Sequence, residues 1–436
     1  MLARLGGRTF ASLRHRDYRL YFAGNAVSFI GTWMQQIAAY WLVLDLTGSG
    51  VAVGALALVQ TLPVTAFALL GGAVADRVDL RRMVITCESV LAAVALTLAV
   101  LALTGTIAVW QLYALGLVQG LALALDAPAR HTLVFRIVGR GDLANAVALS
   151  SGLGTTARMV GPAVGGLVVA AAGPGVAFAG NAVSYVVAIC ALIAMRITPA
   201  PTGRGAATPV VAGVVETFRF AFGQTRVAVT FLCVLLVSMF AFNFDVLLPL
   251  VARLTLHEGA EVFGLIASVF GAGALCGALI LATVARARLA LVLGGAAGFG
   301  GFQLLLAPQS SLAAVSLVLF VIGVFYVLWG SSALAVLQLA APEHLRGRAA
   351  SLYFFAFQGG APVGGLWAGW LVSVGGTELA FYVAGTIALV VVACGALALA
   401  RMPRRSMRAG PITQRRRRRR SALPRARRRR RRSADV

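Results

Sequence analysis

The sequence predicts an all-helical membrane protein in which twelve transmembrane helices form two pseudo-symmetric six-helix bundles. Three observations carry this prediction: the apolar composition, the alternation of basic and uncharged loops, and an internal repeat. Of the 436 residues, 60% are hydrophobic and 12% are charged, and the mean hydropathy is +0.89. A soluble domain has about half apolar and a quarter charged residues. An ordinary soluble globular protein is therefore excluded.

Twelve apolar runs each approach the length of about 20 residues that a membrane-spanning helix needs. The connections between them are short and rich in Gly, Pro and Ser, as at Gly173-Pro174, which is typical of turns. The predicted spans 1 to 12 are residues 19–46, 50–75, 83–104, 107–128, 145–171, 175–197, 227–252, 261–284, 289–307, 311–340, 349–374 and 378–400.

The arginines are placed on one side of this arrangement. Arginines precede span 1 and recur in every connection that follows an even-numbered span, including Arg130 after span 4. The opposite connections contain only Arg253. Because cytoplasmic loops are enriched in Lys and Arg, the pattern predicts that both termini are cytoplasmic. The expected location is the bacterial inner or plasma membrane.

The chain repeats itself at a distance of about 200 residues. Residues 161–166, Gly-Pro-Ala-Val-Gly-Gly, are echoed by residues 361–365, Ala-Pro-Val-Gly-Gly. The longest polar connection falls between the two copies. Paired six-helix repeats around a site near the membrane midplane are a transporter architecture. The predicted organisation is an N-terminal segment (1–18), a bundle (19–197), a cytoplasmic linker (198–226), a second bundle (227–401) and an Arg-rich cytoplasmic tail (402–436).

Several short motifs make the chain similar to a known superfamily. Residues 72–82, Gly-Ala-Val-Ala-Asp-Arg-Val-Asp-Leu-Arg-Arg, resemble the G-x-x-x-D-R-x-G-R-R signature of the major facilitator superfamily. Residues 31–35, 46–49 and 346–348 resemble the branch of the enterobactin exporter and macrolide efflux pumps, which includes drug:proton antiporters. Three positions depart from the superfamily: Asp79 replaces the usual glycine, Leu80 replaces a usual basic residue, and Gly116 stands where another motif has an arginine linked to proton coupling.

The resemblance assigns roles to two of these motifs. It implies a conformational latch against the start of span 11, formed by Gly72, Asp76, Arg77, Arg81 and Arg82. It also implies an antiporter-type motif in span 5, formed by Gly161, Pro162, Gly165 and Gly166. Glycines let helices approach closely, and proline permits a bend, so this motif suits a hinge or seal. The alternatives are an ordinary basic loop and simple small-residue packing.

Ionisable residues inside spans are costly and are candidates for function. Arg158 lies 13 residues past Asn145, about 20 Å along a helix and near the membrane middle. We expect it to face a cavity or a counter-ion, for which Asp126 and Glu88 are possible partners; a purely structural ion pair is the alternative. Glu88 could also reach the cytoplasmic surface. The set of coupling candidates is Arg158, Asp126, Asp245, Asp45 and Glu88.

By resemblance, spans 1, 4, 7 and 10 should line the substrate cavity. A mostly apolar pocket with a few polar and aromatic groups suits a bulky amphipathic solute. Each candidate could equally form an interhelical hydrogen bond or pack against a neighbour. The candidates are Asn25, Trp33, Gln36, Tyr40, Gln119, Asn243, Tyr326, Trp329 and Gln338.

The tail, residues 402–436, contains 16 arginines and one aspartate and cannot fold alone. It could contact anionic lipid, bind nucleic acid without specificity, or have no role. The five cysteines have no metal-ligand or redox spacing, and no catalytic motif is present, so neither an enzyme nor a cofactor nor a metal site is expected. A specific nucleic-acid partner is not expected either, and the protein is expected to be a monomer.

The expected function is secondary active transport. We expect export of a small amphipathic molecule, such as a drug, macrolide or siderophore, by alternating access. Exchange for protons is the expected energy source, because the chain has no nucleotide-binding motif. The alternatives are an importer or lipid-moving relative, and a membrane scaffold or sensor that has lost transport.

Overall fold

A computed structural model describes residues 11–75, 79–196, 218–219, 221–283, 288–342 and 346–401, and these parts of the chain are almost entirely helical. A short 3-10 helix, Ala11–Arg14, precedes the first long helix. The absence of strands from the described residues, together with the apolar helices, confirms the predicted all-helical membrane fold.

The helices are numbered in chain order, and each glycine break inside a long helical stretch is taken as a boundary. In the first half they are α1 Arg16–Thr47, α2 Gly50–Ala75, α3 Leu80–Leu103, α4 Val109–Gly139, α5 141–172 and α6 174–194. In the second half they are α7 Thr225–Phe240, which resumes as Phe244–Leu250 and a π-helical turn Val251–Thr255, then α8 Ala260–Thr283, α9 Leu289–Leu306 and α10 Leu312–Ala340. The last two are α11, Arg346–Gly359 and on to 374, and α12 377–400.

Glycines make the sharpest turns between consecutive helices. Gly173 has φ 82° and ψ 167°, and Gly376 has φ 73° and ψ −177°. This region of backbone space is open essentially only to glycine. The chain can therefore reverse between α5 and α6, and between α11 and α12, without a longer loop.

Eight helical stretches in the described parts of the chain are long and apolar enough to cross a membrane. Two of them, Gly141–Ala194 and Ala349–Ala400, contain one of the glycine reversals and are 54 and 52 residues long. The first two helices are not among the eight, although Gly50–Ala66 is a shorter apolar helix. The number of twelve crossings stays a prediction.

The two halves meet along two helix pairs, α2 with α11 and α5 with α8. Both pairs use glycine to bring backbones together: Gly54 lies against Gly365, and Gly166 lies against Gly264. The two sequence echoes, in α5 and α11, thus both lie at the interface between the halves. The repeat in the sequence corresponds to a repeated packing device.

Among the residues that the structure describes, the contacts between halves lie at one end and towards the middle of the bundle. Gly50 at the start of α2 lies against Gly369 of α11, and Asp45 at the end of α1 approaches Arg253 with 3.5 Å between Oδ1 and Nη2. The arginine pattern of the sequence predicts that this end faces the outside. The halves are therefore closed at the end that we expect to be extracellular.

Helix α4 is longer than the sequence indicates. Span 4 was expected to end at residue 128, with Arg130 in a cytoplasmic loop; the helix instead continues to Gly139. Pro128 removes one backbone hydrogen bond and crowds the carbonyl one turn earlier, but the helix continues through it to Gly139. Placing Arg130 in a loop was therefore wrong, and its side chain is buried.

Candidate transport site

A cavity of about 230 Å³ lies between the two halves. Its walls include Thr61 of α2 and Arg158 of α5 on one side, and Asn243 and Asp245 of α7 on the other. A smaller cavity beside it is lined by Trp33, Gln36 and Tyr40 of α1, among others. Tyr40, Arg158 and Asp245 line both cavities, so the two form one region around these side chains.

The guanidinium of Arg158 is held among aromatic rings from both halves. Its Cζ lies 4.9 Å from the ring centroid of Trp33 and 5.7 Å from that of Phe242. One Nη1–H donates to the hydroxyl of Tyr326 at 3.4 Å. Phe242 and Tyr326 themselves stack with centroids 4.7 Å apart. Since a cation is attracted to ring faces, these contacts hold Arg158 at the interface.

Asp245 occupies the point where α7 is interrupted. The helix stops at Phe240 and resumes at Phe244, so Asp245 stands in the first turn of the second segment, where a carboxylate is favoured by the helix dipole. Its side chain is exposed to the cavity. Among the described residues, neither Asp245 nor Arg158 has an oppositely charged partner within 4 Å.

The two carboxylates that were expected to pair with Arg158 pair instead with Arg130. Asp126 and Glu88 both form ion pairs with Arg130, and Asn25 accepts a hydrogen bond from the same guanidinium. The expectation that Asp126 or Glu88 neutralises Arg158 was wrong, because Arg130 follows Asp126 by one helical turn and takes both carboxylates. Glu88 is fully buried, so it does not reach the cytoplasmic surface.

A second polar network lies inside the first half, away from the cavity. Gln35 donates to Gln119 at 3.0 Å and accepts from Asn181 at 2.8 Å, and Ser184 donates to Asn181 at 2.8 Å. These buried amides satisfy one another across α1, α4 and α6, as buried polar groups usually do. The network therefore joins three helices of one bundle.

The nine predicted cavity residues separate into two groups. Trp33, Gln36, Tyr40 and Asn243 line the cavities, and Tyr326 touches Arg158. Four do not line either cavity: Asn25 binds Arg130, Gln119 joins the amide network, Trp329 is buried against Phe299, and Gln338 is half-buried.

Sequence reasoning missed Phe242 and Phe357, whose rings belong to the cavity wall and pack 5.5 Å apart. It also missed Arg130. The available signals were the position of Phe242 next to Asn243 at the helix break and the four-residue spacing from Asp126 to Arg130.

The motif in α5 is enclosed on two sides. Gly161 and Gly165 face α1, where a Cβ added at Gly165 would fall 3.0 Å from the Cα of Met34. Gly166 faces α8, where an added Cβ would fall 2.5 Å from the carbonyl oxygen of Ala260 and 2.8 Å from the Cα of Gly264. Pro162 lines the smaller cavity. The motif thus contacts α1 of its own half on one side and α8 of the other half on the other side.

The expected latch can be followed only in part. Asp76 and Arg77 lie outside the described residues, and Gly72 is in the last turns of α2. Arg81 donates from Nε to the carbonyl of Leu192 at 2.9 Å and from Nη2 to that of Ile193 at 2.6 Å, which caps the end of α6.

The remaining residues of that loop also act locally. The carboxylate of Asp79 accepts from the backbone N–H groups of Arg81 and Arg82 at 3.0 and 3.2 Å and so N-caps α3. Arg82 is exposed, with its Nε 3.9 Å from Asp79 Oδ2. Asp79, which replaces the superfamily's glycine, therefore has a structural role as the N-cap of α3.

A helical bundle of two joined halves, with a charged and aromatic cavity between them, defines the class of membrane transporters. The chain belongs to the family of transmembrane secretion effectors, a branch of the major facilitator superfamily, whose profile matches residues 7–418. The superfamily and the branch that the sequence motifs indicated are thereby confirmed. The family and its relatives are transporters rather than enzymes.

Three relatives illustrate the branch. The chain is 27% identical over 370 residues to the multidrug efflux pump Tap of Mycolicibacterium fortuitum, which covers 82% of this chain and 88% of that protein. It is 23% identical over 273 residues to the staphyloferrin A transporter of Staphylococcus aureus, covering 62% and 67%. It is 25% identical over 158 residues to macrolide efflux protein A of Streptococcus pyogenes, covering 35% and 39%.

Solved structures share the fold at low sequence identity. The nucleoside transporter NupG aligns with a TM-score of 0.71 at 13% identity, over 88% of this chain and 99% of that one. A D-xylose–proton symporter aligns with a TM-score of 0.68 at 14% identity, over 87% and 97%. These likenesses confirm the major facilitator fold.

Proposed function

We propose that this protein exports small amphipathic molecules across the bacterial plasma membrane in exchange for protons. The observation that carries the proposal is the cavity between the halves, where Arg158 of one half is held by aromatic rings of the other. A substrate bound there touches both halves. It can therefore favour one arrangement of the halves over another, which is what alternating access requires.

The direction of transport is inferred from the relatives and the charge pattern. The curated relatives named for efflux of drugs and macrolides support export. With the termini in the cytoplasm, the contacts of Gly50 with Gly369 and of Asp45 with Arg253 close the outer end. This arrangement would receive its substrate from the cytoplasm. Asp45 and Arg253 then form an outer gate that must separate when the substrate leaves.

The proton is assigned to the buried cluster of Glu88, Asp126 and Arg130. Two carboxyl groups face one guanidinium there, and the neighbouring titratable side chains include Tyr21, Cys87 and Tyr185. An unpaired negative charge in an apolar surrounding is costly, so one carboxyl group is expected to carry a proton. This cluster would take the place of the coupling arginine whose position is Gly116. A Cβ added at Gly116 would lie 3.2 Å from side-chain atoms of Gln60 and Leu56.

Drug accumulation in cells tests export and its energy source together. Pump-deficient bacteria, with and without this protein, are loaded with a panel of fluorescent drugs and siderophores, and an uncoupler is then added. The proposal expects lower accumulation with the protein and loss of that difference with the uncoupler. Higher accumulation with the protein would identify an importer. No change across the panel, with the protein in the membrane, would favour a scaffold or sensor.

Substitution of the cluster tests the proton assignment. Asp126→Asn keeps the pair between Glu88 and Arg130 but removes the surplus carboxyl group. Proteoliposomes containing this variant are expected to lose uphill transport driven by an imposed proton gradient while retaining downhill substrate flux. Glu258→Gln, an exposed carboxylate outside the cavity, is the matched control. Gradient-driven transport by Asp126→Asn at the wild-type rate would contradict the assignment.

A further inference from the structure

We propose that the preferred substrate is a zwitterion: a planar amphipathic molecule whose carboxylate is bound by Arg158 and whose cationic group faces Asp245. The inference rests on the proposed transport function and adds the charge type of the substrate. It follows from three features of the cavity, which are the unused donors of Arg158, the nearby carboxylate of Asp245 and the aromatic walls.

Most of the N–H donors of the Arg158 guanidinium have no hydrogen-bond acceptor among the described residues. It carries five N–H groups in a planar fork, and among the described residues its only hydrogen bond is the one to Tyr326, at 3.4 Å. The rings of Trp33 and Phe242 attract its charge but accept no conventional hydrogen bond. A guanidinium in this state matches a carboxylate, which takes two parallel N–H bonds. The cavity thus has a site for one anionic group.

An anion without a cationic group is a poor ligand for the cavity, because the carboxylate of Asp245 would repel it. Arg158 and Asp245 are the only charged side chains in the described walls of the two cavities. They lie on opposite halves and do not form an ion pair within 4 Å. A molecule with one carboxylate and one cationic group satisfies both charges at once. A monovalent cation or anion leaves one of them without a partner in a partly apolar site, which is costly.

The aromatic walls indicate the rest of the molecule. Trp33 lines the cavity from the first half and Phe242 and Phe357 line it from the second, with Tyr326 stacked on Phe242 behind them. Flat rings of this kind suit an aromatic or other planar apolar scaffold. A zwitterion with such a scaffold would bridge Arg158 and Asp245 and so draw the halves together. Its binding would then differ between the two arrangements of the halves, as coupled transport needs.

Transport of three matched dyes into everted membrane vesicles tests the proposal. Rhodamine B is a zwitterion, its ethyl ester is a cation with the same ring system, and carboxyfluorescein is an anion with a related one. The expected result is that rhodamine B is transported with about tenfold higher kcat/KM than either of the others, the loss that one missing charged hydrogen bond produces. Equal or better transport of the ester or of carboxyfluorescein overturns the zwitterion proposal and leaves the transport function standing. Transport of none of the three counts against the transport function itself, and this proposal falls with it.

Two charge-neutralising variants give the decisive comparison. Asp245→Asn is expected to shift the preference by about tenfold towards carboxyfluorescein, and Arg158→Gln towards the ester. Glu258→Gln and Arg288→Gln make the same chemical changes at exposed positions outside the cavity and should keep the wild-type preference. Size-exclusion profiles confirm that each variant is folded; where one is not, Asp245→Glu or Arg158→Lys replaces it, with a weakened zwitterion preference expected. An unchanged order of the three dyes in both neutralising variants overturns the proposal, and so does an undiminished preference for rhodamine B in a replacement variant.

Discussion

At the scale of single residues, buried Arg130 and half-buried Arg158 of the first half differ in their partners. Arg130 takes two carboxylates, Glu88 and Asp126, and is 8% exposed. Arg158 forms cation–π contacts with aromatic rings and has no carboxylate within 4 Å among the described residues. A paired arginine fixes helices to one another, whereas an unpaired one in a cavity is available to a ligand. The structure thus separates a cluster that holds α1, α3 and α4 together from a site that faces the substrate path.

Arg130→Gln tests the structural weight of that cluster. The substitution leaves two carboxyl groups buried without a cation, and breaking a buried ion pair from one side costs about 3–5 kcal/mol. We expect a lower thermal midpoint in detergent and less folded protein in the membrane. The triple variant with Glu88→Gln and Asp126→Asn should recover most of the stability, because no charge is then left unpaired. A single variant as stable as the wild type would contradict this interpretation of the cluster.

At the scale of helices, the interface between the halves depends on glycine. Gly166 lets α5 meet α8 backbone to backbone, and Gly54 does the same for α2 and α11. Small residues that allow helices to approach closely are the usual means of packing in membranes. The same means appears in both repeats, at residues 161–166 and 361–365. It follows that the halves can slide or rock on smooth contacts instead of separating interlocked side chains.

Gly166→Val measures the importance of this close approach. The added side chain would collide with the carbonyl of Ala260 and the backbone of Gly264, so α5 and α8 must move apart. We expect transport to fall at least tenfold while helical content by circular dichroism is kept; overpacking of this kind typically costs about 1–3 kcal/mol. Gly154→Val, on the same helix, is the control, because a Cβ there meets nothing within 4 Å. Equal activity of the two variants would contradict the role of the α5–α8 contact.

The helices that could be predicted from the sequence are those with clear local signals. The apolar runs, the arginine alternation and the repeated glycine–proline motif were sufficient for the fold, and Gly173 marked its turn correctly. The end of α4 could not be predicted, since Asp126, Pro128 and Arg130 together have the polar composition of a loop. Arg130 pairs with Asp126 and with Glu88 of α3, so the segment is a buried helix, and the contact with Glu88 is not visible in the local sequence.

The cavity, too, could be predicted only in part, because some of its contacts join distant parts of the chain. Trp33, Gln36 and Tyr40 could be proposed because the resemblance assigns α1 to the cavity wall, but other partners of Arg158 come from α7 and α10 of the other half. A contact between residues more than 80 positions apart depends on how the halves dock. Sequence reasoning could therefore identify Arg158 as important and still assign it the wrong neighbours.

At the scale of the whole molecule, the fold joins a closed end to a charged cavity. The outer contacts, Asp45 with Arg253 and Gly50 with Gly369, lie beyond the cavity formed around Arg158 and Asp245. In the proposed cycle, substrate and proton binding weaken these outer contacts and the halves rock about α2–α11 and α5–α8. A charge pair half-exposed to water contributes little to stability, so the outer gate can open at small cost.

Deletion of residues 404–436 tests whether the tail belongs to the transport machinery. The tail lies outside the described residues, and its arginines are expected to contact anionic lipid instead of the cavity. We therefore expect the truncated protein to transport at the wild-type rate, while a tail peptide binds vesicles containing phosphatidylglycerol in a salt-sensitive manner. A severe loss of transport by the truncated protein, with normal abundance in the membrane, would contradict this expectation.

The most direct test of alternating access is a reversible lock on the outer gate. Asp45→Cys and Arg253→Cys are introduced together after replacement of the five native cysteines, and the pair is joined with a short, reducible bifunctional thiol reagent. Each single cysteine variant, treated in the same way, is the control. Cross-linking is expected to abolish export, and reduction is expected to restore it. Full export by the cross-linked protein would contradict the account, because the substrate would then not leave through this gate.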